Sequence, residues 1–343
     1  MEHTTVSVDL AKSVFEIAVS TRPGRVTERH RLTRSGFARF FADRASSLVL
    51  LEACGTAHHW ARELDRMGHK VLLLPPHRVR PHVTGNKTDR ADAKALLEAY
   101  RDEDIRPVPV KSVLQQTLAA IHRLRSAWLR ARTARINTLR GVLREFGIFI
   151  PVGSRQVVPA VLGLIEDADC PISDLLRPAL WAACQEIRSY EANMLDAERQ
   201  LKAAADQIPV VSRLLEIPGV GIITATALVA FVGNVERFRS ARHFASYLGL
   251  TPRESSSGLR RRLGAISKRG DRYLRMLLTH GARATLRAAR LKATPDRLRA
   301  WALIVEKRRG HNKAAIALAN KLARIIWAVW KSGSGYREEA LVS

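Results

Sequence analysis

Two aspartates three residues apart, Asp89 and Asp92, stand where a helix should begin. Asn86-Lys87-Thr88 precedes them, with Thr88 placed as an N-cap, and Ala93, Ala95, Leu96 and Leu97 that follow are good helix formers. At i and i+3 the two carboxylates share one face. Side by side they repel unless a cation lies between them, although Asp also suits the positive end of any helix. Two more acids shift the balance. Asp9 comes at the end of the alternating stretch Thr5-Val6-Ser7-Val8-Asp9-Leu10, and Glu52 follows the apolar run Ser47-Leu48-Val49-Leu50-Leu51. Each alone is an ordinary strand-end polar residue. Together the four carboxylates would make a site for two hard divalent ions, and Mg2+ is the ion that prefers oxygen ligands and keeps some of its water. Two such ions about 3.5–4 Å apart can clamp the attacking and leaving oxygens of a phosphodiester.

The elements that must bring these acids together are legible. A second strand, Val14 to Val19, returns through Ala11-Lys12-Ser13, and a third, Arg25 to Leu32, follows a Pro23-Gly24 turn. Ser35 is placed to cap a short helix carrying Phe37, Phe40 and Phe41. The apolar run ending at Glu52 suits a strand buried on both faces. A helix from Thr56 to Met67, a strand from Lys70 to Leu74 and the breaker Pro75-Pro76 complete the set. Three strands, helix, strand, helix, strand, helix is the order of an RNase H-like fold. There the first and fourth strands are neighbours, so Asp9 and Glu52 converge while the helix of Asp89 and Asp92 packs over the same edge.

Composition narrows the partner. The chain has 343 residues, 46% of them hydrophobic, and a net charge of +25. So large a basic excess calls for a polyanion, nucleic acid rather than a membrane. The longest apolar run, Val220 to Gly233, is too short to span a bilayer and contains Thr224 and Thr226. Met1-Glu2-His3-Thr4 has neither the basic start nor the apolar core of a secretory leader. Cys54, Cys170 and Cys184 lack metal spacing and are expected as free thiols in a reducing cytoplasm.

Arg106-Pro107-Val108-Pro109-Val110 closes the first domain, residues 1–110. The helical connector expected over 111–209 starts with a long helix, Ser112 to Phe146. It has no acid between Lys111 and Arg144, but carries Arg123, Arg125, Arg130, Arg132, Arg135 and Arg140. Like charges at i, i+4 weaken a helix, so this face is expected on phosphates. A second helix, opened by Pro178 and running to Gln207, holds a near-heptad register of Leu180, Cys184, Ile187, Met194 and Leu201, interrupted by Glu191 and Glu198. It is expected as a hairpin partner or dimer contact. In the last domain, 210–343, Leu215 to Val232 resembles a helix-hairpin-helix. Gly219 and Gly221 would admit a phosphate at the following helix N-terminus, though such turns also serve packing alone. Arg253 to Ser257 and Gly258 form a Ser-Gly loop before Arg260-Arg261-Arg262 and Ser267-Lys268-Arg269-Gly270. A final amphipathic helix, Ala314 to Trp330, precedes a tail expected to be loose from Ser332.

Val8-Asp9-Leu10-Ala11-Lys12, Leu51-Glu52-Ala53-Cys54-Gly55-Thr56 and Lys87-Thr88-Asp89-Arg90-Ala91-Asp92-Ala93 resemble the three motifs of the DEDD transposases of bacterial insertion sequences. Cys54 stands where Thr is usual. The resemblance covers essentially the whole chain. It implies a RuvC-like (RNase H-like) α/β catalytic domain with Asp9, Glu52, Asp89 and Asp92 as metal ligands, a coiled-coil connector that helps the protein dimerise, and a mainly helical transposase domain. It also implies a serine nucleophile, and register against Ser267-Lys268 points to Ser257, with Ser255 and Ser256 adjacent. A structured bridge RNA pairing with donor and target DNA is implied too, with a homodimer assembling to a tetramer on DNA, a site completed between protomers, and a cytoplasmic, nucleoid-associated location. Two other readings stay open. One is a metal-dependent, structure-specific nuclease in which water attacks. The other is a nucleic-acid-binding module whose site has decayed, against which the intact acids argue.

Overall fold

The computed structural model describes residues 4–22, 25–84 and 88–337. Met1-Glu2-His3, the Pro23-Gly24 turn, Asn86-Lys87 and the tail beyond Arg337 lie outside them. The chain divides into two compact units on either side of Ser112.

The first unit runs β1 (Thr5–Leu10), β2 (Val14–Ser20), β3 (Glu28–Thr33), α1 (Arg34–Ala42), β4 (Leu48–Glu52), α2 (Ala57–Arg66), β5 (Lys70–Leu74), α3 (Pro76–Val79) and α4 (Asp89–Tyr100). The sheet order is β3-β2-β1-β4-β5. β1 pairs antiparallel with β2 and parallel with β4, so the meander is followed by crossovers and β1 and β4 are neighbours. β4 lies between two parallel partners, which is why its centre is a continuous apolar run. Alternation along β1 and β2 serves two cores. Val6, Val8, Phe15 and Ile17 face Phe37, Phe41 and Trp60, while Ala18 and Leu50 face Ala93 and Leu96 of α4. Phe37 meets Phe15 and Trp60 edge-on, centroids 4.7 and 4.8 Å away. Each such pair contributes about 0.5–1.5 kcal/mol beyond its buried area.

Three local expectations change here. The cap of α1 is Thr33, whose hydroxyl accepts from the Gly36 amide, so the helix starts before Ser35. β3 begins at Glu28 rather than Arg25. Pro75-Pro76 does not simply break the chain: Pro76 sits in the first turn of α3, where its missing N–H costs nothing.

The second unit contains α5 (Val113–Glu145), α6 (Val157–Glu166), α7 (Arg177–Ala205), α8 (Pro209–Leu215), α9 (Ile222–Val232), α10 (Ala241–Tyr247), β6 (Pro252–Glu254), β7 (Leu263–Ile266), α11 (Arg272–Leu291), α12 (Arg297–Arg309) and α13 (His311–Ser332). It is mostly helical, and no helix among the described residues is long and apolar enough to cross a membrane. α5 has 33 residues, about 50 Å at the usual rise. Its C-terminal half packs on α6 and α7 through Ile136, Leu139, Leu143, Val161, Leu180, Cys184 and Ile187. Its N-terminal half joins the core of α8 to α13 through Leu118 and Ala119. His122, fully buried, locks that junction. Its Nδ1 lies 3.1 Å from the Tyr273 hydroxyl on α11 and its Nε2 3.0 Å from Thr226 Oγ1 on α9. Burial holds the ring neutral, its pKa pushed down to about 4. The expected loose tail instead turns back as far as it is described: the Tyr336 amide donates to Glu216 Oε2 at 2.8 Å.

Candidate active site

Sequence spacing alone puts Asp9 and Glu52 on different strands. The parallel pairing of β1 with β4, Val8 opposite Leu51, makes them neighbours where these two interior strands end. α4 packs on the sheet there through Ala93, Leu96 and Leu97, and one buried polar side chain ties it down. Ser7 Oγ donates to the Ala93 carbonyl at 2.6 Å, two residues before Asp9 and one after Asp92. Thr88 caps α4 by accepting from the Ala91 amide at 3.2 Å, which sets Asp89 and Asp92 in the first turn. Four other acids act on Asp9. Its pKa is pushed up to about 6, first by burial and then by the negative charges of Asp92, Asp89, Glu52 and Glu16.

Carboxylates crowded enough to repel in this way are the donor set a hard divalent cation would relieve. They do not close around a common point, however. Among the described residues, no three Asp, Glu, His or Cys side chains are already disposed to hold a metal. Glu16 was not anticipated. It lies directly opposite Asp9 in the β1–β2 register and is 7% exposed. The signal was available, because one acid interrupts the otherwise apolar run Val14-Phe15-Glu16-Ile17-Ala18-Val19.

The serines sit on the β6–β7 hairpin of the second unit. The Ser255 amide donates to the Arg262 carbonyl, and Ser257 and Arg260 exchange backbone hydrogen bonds around a tight turn. Gly258, at φ +54°, permits that turn. Ser256 is committed to the hairpin: its hydroxyl donates to Glu254 Oε1 at 2.8 Å and accepts from the Arg262 amide at 3.2 Å. Arg261 also reaches Glu254, at 3.2 Å. Ser257 is exposed at the tip, with Arg260, Arg261 and Arg262 exposed behind it. The hairpin is seated by close backbone packing. Gly270 lies under the Tyr247 carbonyl, Lys268 takes a left-handed φ of +56°, and Arg275 Nη1 donates to the Leu248 and Gly270 carbonyls. Lys268 and Arg269 line a depression with Ser255.

Residues 6–148 match a DEDD transposase family model, and residues 211–297 match the model described as "Transposase IS116/IS110/IS902 family". A "Probable family 20 transposase" of Pseudomonas aeruginosa is 42% identical over 98% of this chain and 99% of its own length. The chain belongs to the IS110/IS116 transposase family. It is also similar to the transposase for insertion sequence element IS1111A of Coxiella burnetii, at 36% identity over 97% of this chain and 91% of that one. The transposase for IS1328 of Yersinia enterocolitica is 35% identical over 96% and 98%. As a member, this transposase acts on DNA by cutting and rejoining it, and the DEDD character of the first matched region carries a general dependence on divalent metal.

The transposase's arginine-rich helix is only partly free for nucleic acid. α7 runs antiparallel to α5 and answers three of the bases: Arg125 with Glu198 at 2.6 Å, Arg132 with Glu191 at 3.3 Å and Arg135 with Glu186. Glu191 and Glu198, the two breaks in the heptad register of α7, are therefore two of the three acids that meet α5. Arg140 donates to the Pro151 and Gly153 carbonyls. Arg123 and Arg130 remain exposed and form no ion pair among the described residues. The glycines of the helix-hairpin-helix-like turn divide similarly. Gly219, at φ +84°, is pressed on α11, where a Cβ would come within 2.4 Å of Thr285 Oγ1. An added Cβ at Gly221 would meet nothing, so the start of α9 is open.

Proposed function

We propose that this transposase is a guide-RNA-directed recombinase that exchanges DNA strands through a serine ester, with an RNase H-like N-terminal unit supplying the metal-binding acids. The observation that supports the reading is the placement of Asp9 and Glu52 on the paired strands β1 and β4, with Asp89 and Asp92 in the first turn of the helix packed on that sheet, close enough for their charges to act on Asp9. Asp9, Glu52, Asp89 and Asp92 would hold two divalent ions, Mg2+ by the hardness of the donors. Bound there, the ions supply electrophilic help to a phosphodiester. Ser257 Oγ attacks phosphorus, the Oγ–P bond forms as the P–O bond to the departing strand breaks, and the serine proton ends on the departing oxygen. The ester conserves the phosphodiester's bond energy, so rejoining needs no ATP. Arg260, Arg261 and Arg262 offer charge to the pentacoordinate phosphorus. Donor and target DNA and a structured bridge RNA are the partners, and a homodimer assembling to a tetramer on DNA is the working form.

A second reading has its own observation. Ser256, not Ser257, is hydrogen-bonded to a carboxylate, Glu254, as a nucleophile is to its base. Denaturing electrophoresis of labelled substrate followed by peptide mapping separates the two. An ester on Ser257 is the expected result, and one on Ser256 transfers the role. Cleavage with no adduct would favour the hydrolytic nuclease.

On α5 the exposed bases, not the paired ones, should carry backbone contacts. Arg123→Gln with Arg130→Gln is expected to lower the log–log salt slope of RNA or DNA binding by roughly 1.4–1.8. Arg132→Gln with Arg135→Gln should act mainly on the stability of the α5–α7 pair. Equal slopes for wild type and the Arg123/Arg130 variant would remove α5 from the binding surface.

A further inference from the structure

Directly paired residues on neighbouring strands project to the same face of a sheet. Asp9 is paired with Glu16, and Glu16 with Arg31, so one row crosses from the acid site to the β3 edge. Arg29, opposite Ala18, lies on that same face one step along. β3 is the outermost strand of the sheet. Above it, Arg90 sits between the two acids of α4, its side chain 73% exposed. Its Nε is 3.6 Å from Glu16, longer than a hydrogen bond, and its carbonyl accepts from Arg29 Nη1 at 3.4 Å.

Two surface depressions meet at this point. One is lined by Arg31, Thr88 and Asp89, the other by Lys94 and Glu98, and Arg29 and Arg90 line both. They adjoin across the Arg29–Arg90 contact as a trough along β3 and α4, with Asp89, one of the site acids, in its lining. His30 lines one half and His82 the other, but among the described residues no Phe, Tyr or Trp, the larger stacking rings, lines either. Base recognition on a single strand relies on such rings, whereas guanidinium forks suit phosphate.

We propose that this trough binds the phosphodiester backbone of one nucleic-acid strand, held by Arg29, Arg31 and Arg90, and leads it to the acids. The inference rests on the acid site of the proposed function and gives the path of its substrate. Buried Glu16 is the positioning residue. It keeps Arg90 leaning over the trough without a short hydrogen bond, so the guanidinium is free to turn to a phosphate.

The test measures binding by the full chain in EDTA, where no cleavage intrudes, using labelled single-stranded DNA and RNA oligonucleotides of one sequence. Arg29→Gln, Arg31→Gln and Arg90→Gln are combined. A control removes the same charge at the exposed Arg66, Arg155 and Arg199. The trough variant should bind more weakly than the control, with its log–log salt slope reduced by about 2, three contacts at roughly 0.7 each. A loss confined to one probe assigns the trough to that strand. Affinity and slope equal to the control with both probes would overturn the inference. Failure of the proposed function would look different: the unsubstituted chain would show no divalent-dependent cleavage while the trough variant still bound more weakly.

Discussion

Asp9→Asn should stop strand cleavage and at the same time make the metal-free protein more stable above pH 6. The loss of cleavage follows from removing one of the carboxylates that would hold the ions. It should amount to roughly 10²–10³-fold or more. The gain in stability follows from electrostatics. Asp9 has a pKa of about 6 in the folded chain, against an ordinary 3.8, because burial and the charges of Asp92, Asp89, Glu52 and Glu16 oppose its ionisation. The folded state therefore holds a proton that the unfolded state releases between those values, and stability falls as pH rises through this window. Below about pH 3.8 the carboxyl is neutral in both states and the penalty vanishes. At pH 7.5 the wild type carries all of it, about 1 kcal/mol once solvent screening is allowed for. Asparagine removes it. Thermal melts of both proteins in EDTA at pH 4 and pH 7.5 check the sign. Added Mg2+ should then stabilise the wild type more than the variant, since a ligand that binds only the folded state raises its stability. Full cleavage in EDTA, or by Asp9→Asn, would remove the acids from the chemistry.

Gly270→Ala should unseat the serine hairpin without touching the acids. A Cβ at this position would lie 2.1 Å from the Tyr247 carbonyl oxygen and 2.5 Å from the Leu248 carbonyl carbon. Both are backbone atoms, so the strain cannot be relieved by rotating a side chain. Overpacking of this kind costs about 1–3 kcal/mol, and here it displaces the segment that Arg275 clamps between the Leu248 and Gly270 carbonyls. Serine-ester formation should be lost, while the Mg2+-dependent stabilisation that reports on the first unit persists. Gly264→Ala, on β7 of the same hairpin, is the matched control: its Cβ would meet only the Arg253 carbonyl, at 3.9 Å. Adduct formation by Gly270→Ala at the wild-type level would show that the seating of the hairpin is irrelevant to attack.

Much of the first unit could be read directly from residue order. Thr88 caps α4 where the Thr-Asp-x-x-Asp spacing puts it, and the uninterrupted apolar run before Glu52 is a strand between two parallel partners. The Thr5–Leu10 alternation ends beside Glu52 because β1 and β4 pair. These are local signals, set by capping chemistry and by the period of a strand. The helix start at Thr33 rather than Ser35 was harder to read, since two hydroxyl residues two apart are equally good caps until the chain direction into the helix is known.

What the tertiary structure decided is which of several equivalent side chains is spent on the protein itself. The bases of α5 look alike in sequence, yet Glu186, Glu191 and Glu198 of α7 engage three of them and leave Arg123 and Arg130 exposed. Three consecutive serines look alike, yet Ser256 is bound to Glu254 and Ser257 reaches the tip. Gly219 and Gly221 look alike, yet only the first is held by contact with α11. Glu16 stands seven residues from Asp9 in the chain and directly across from it in the sheet. A residue's type and spacing set what it can bond to. Its partner is chosen by which distant segment folding brings within a few ångströms, because hydrogen bonds and desolvated charges act only at that range.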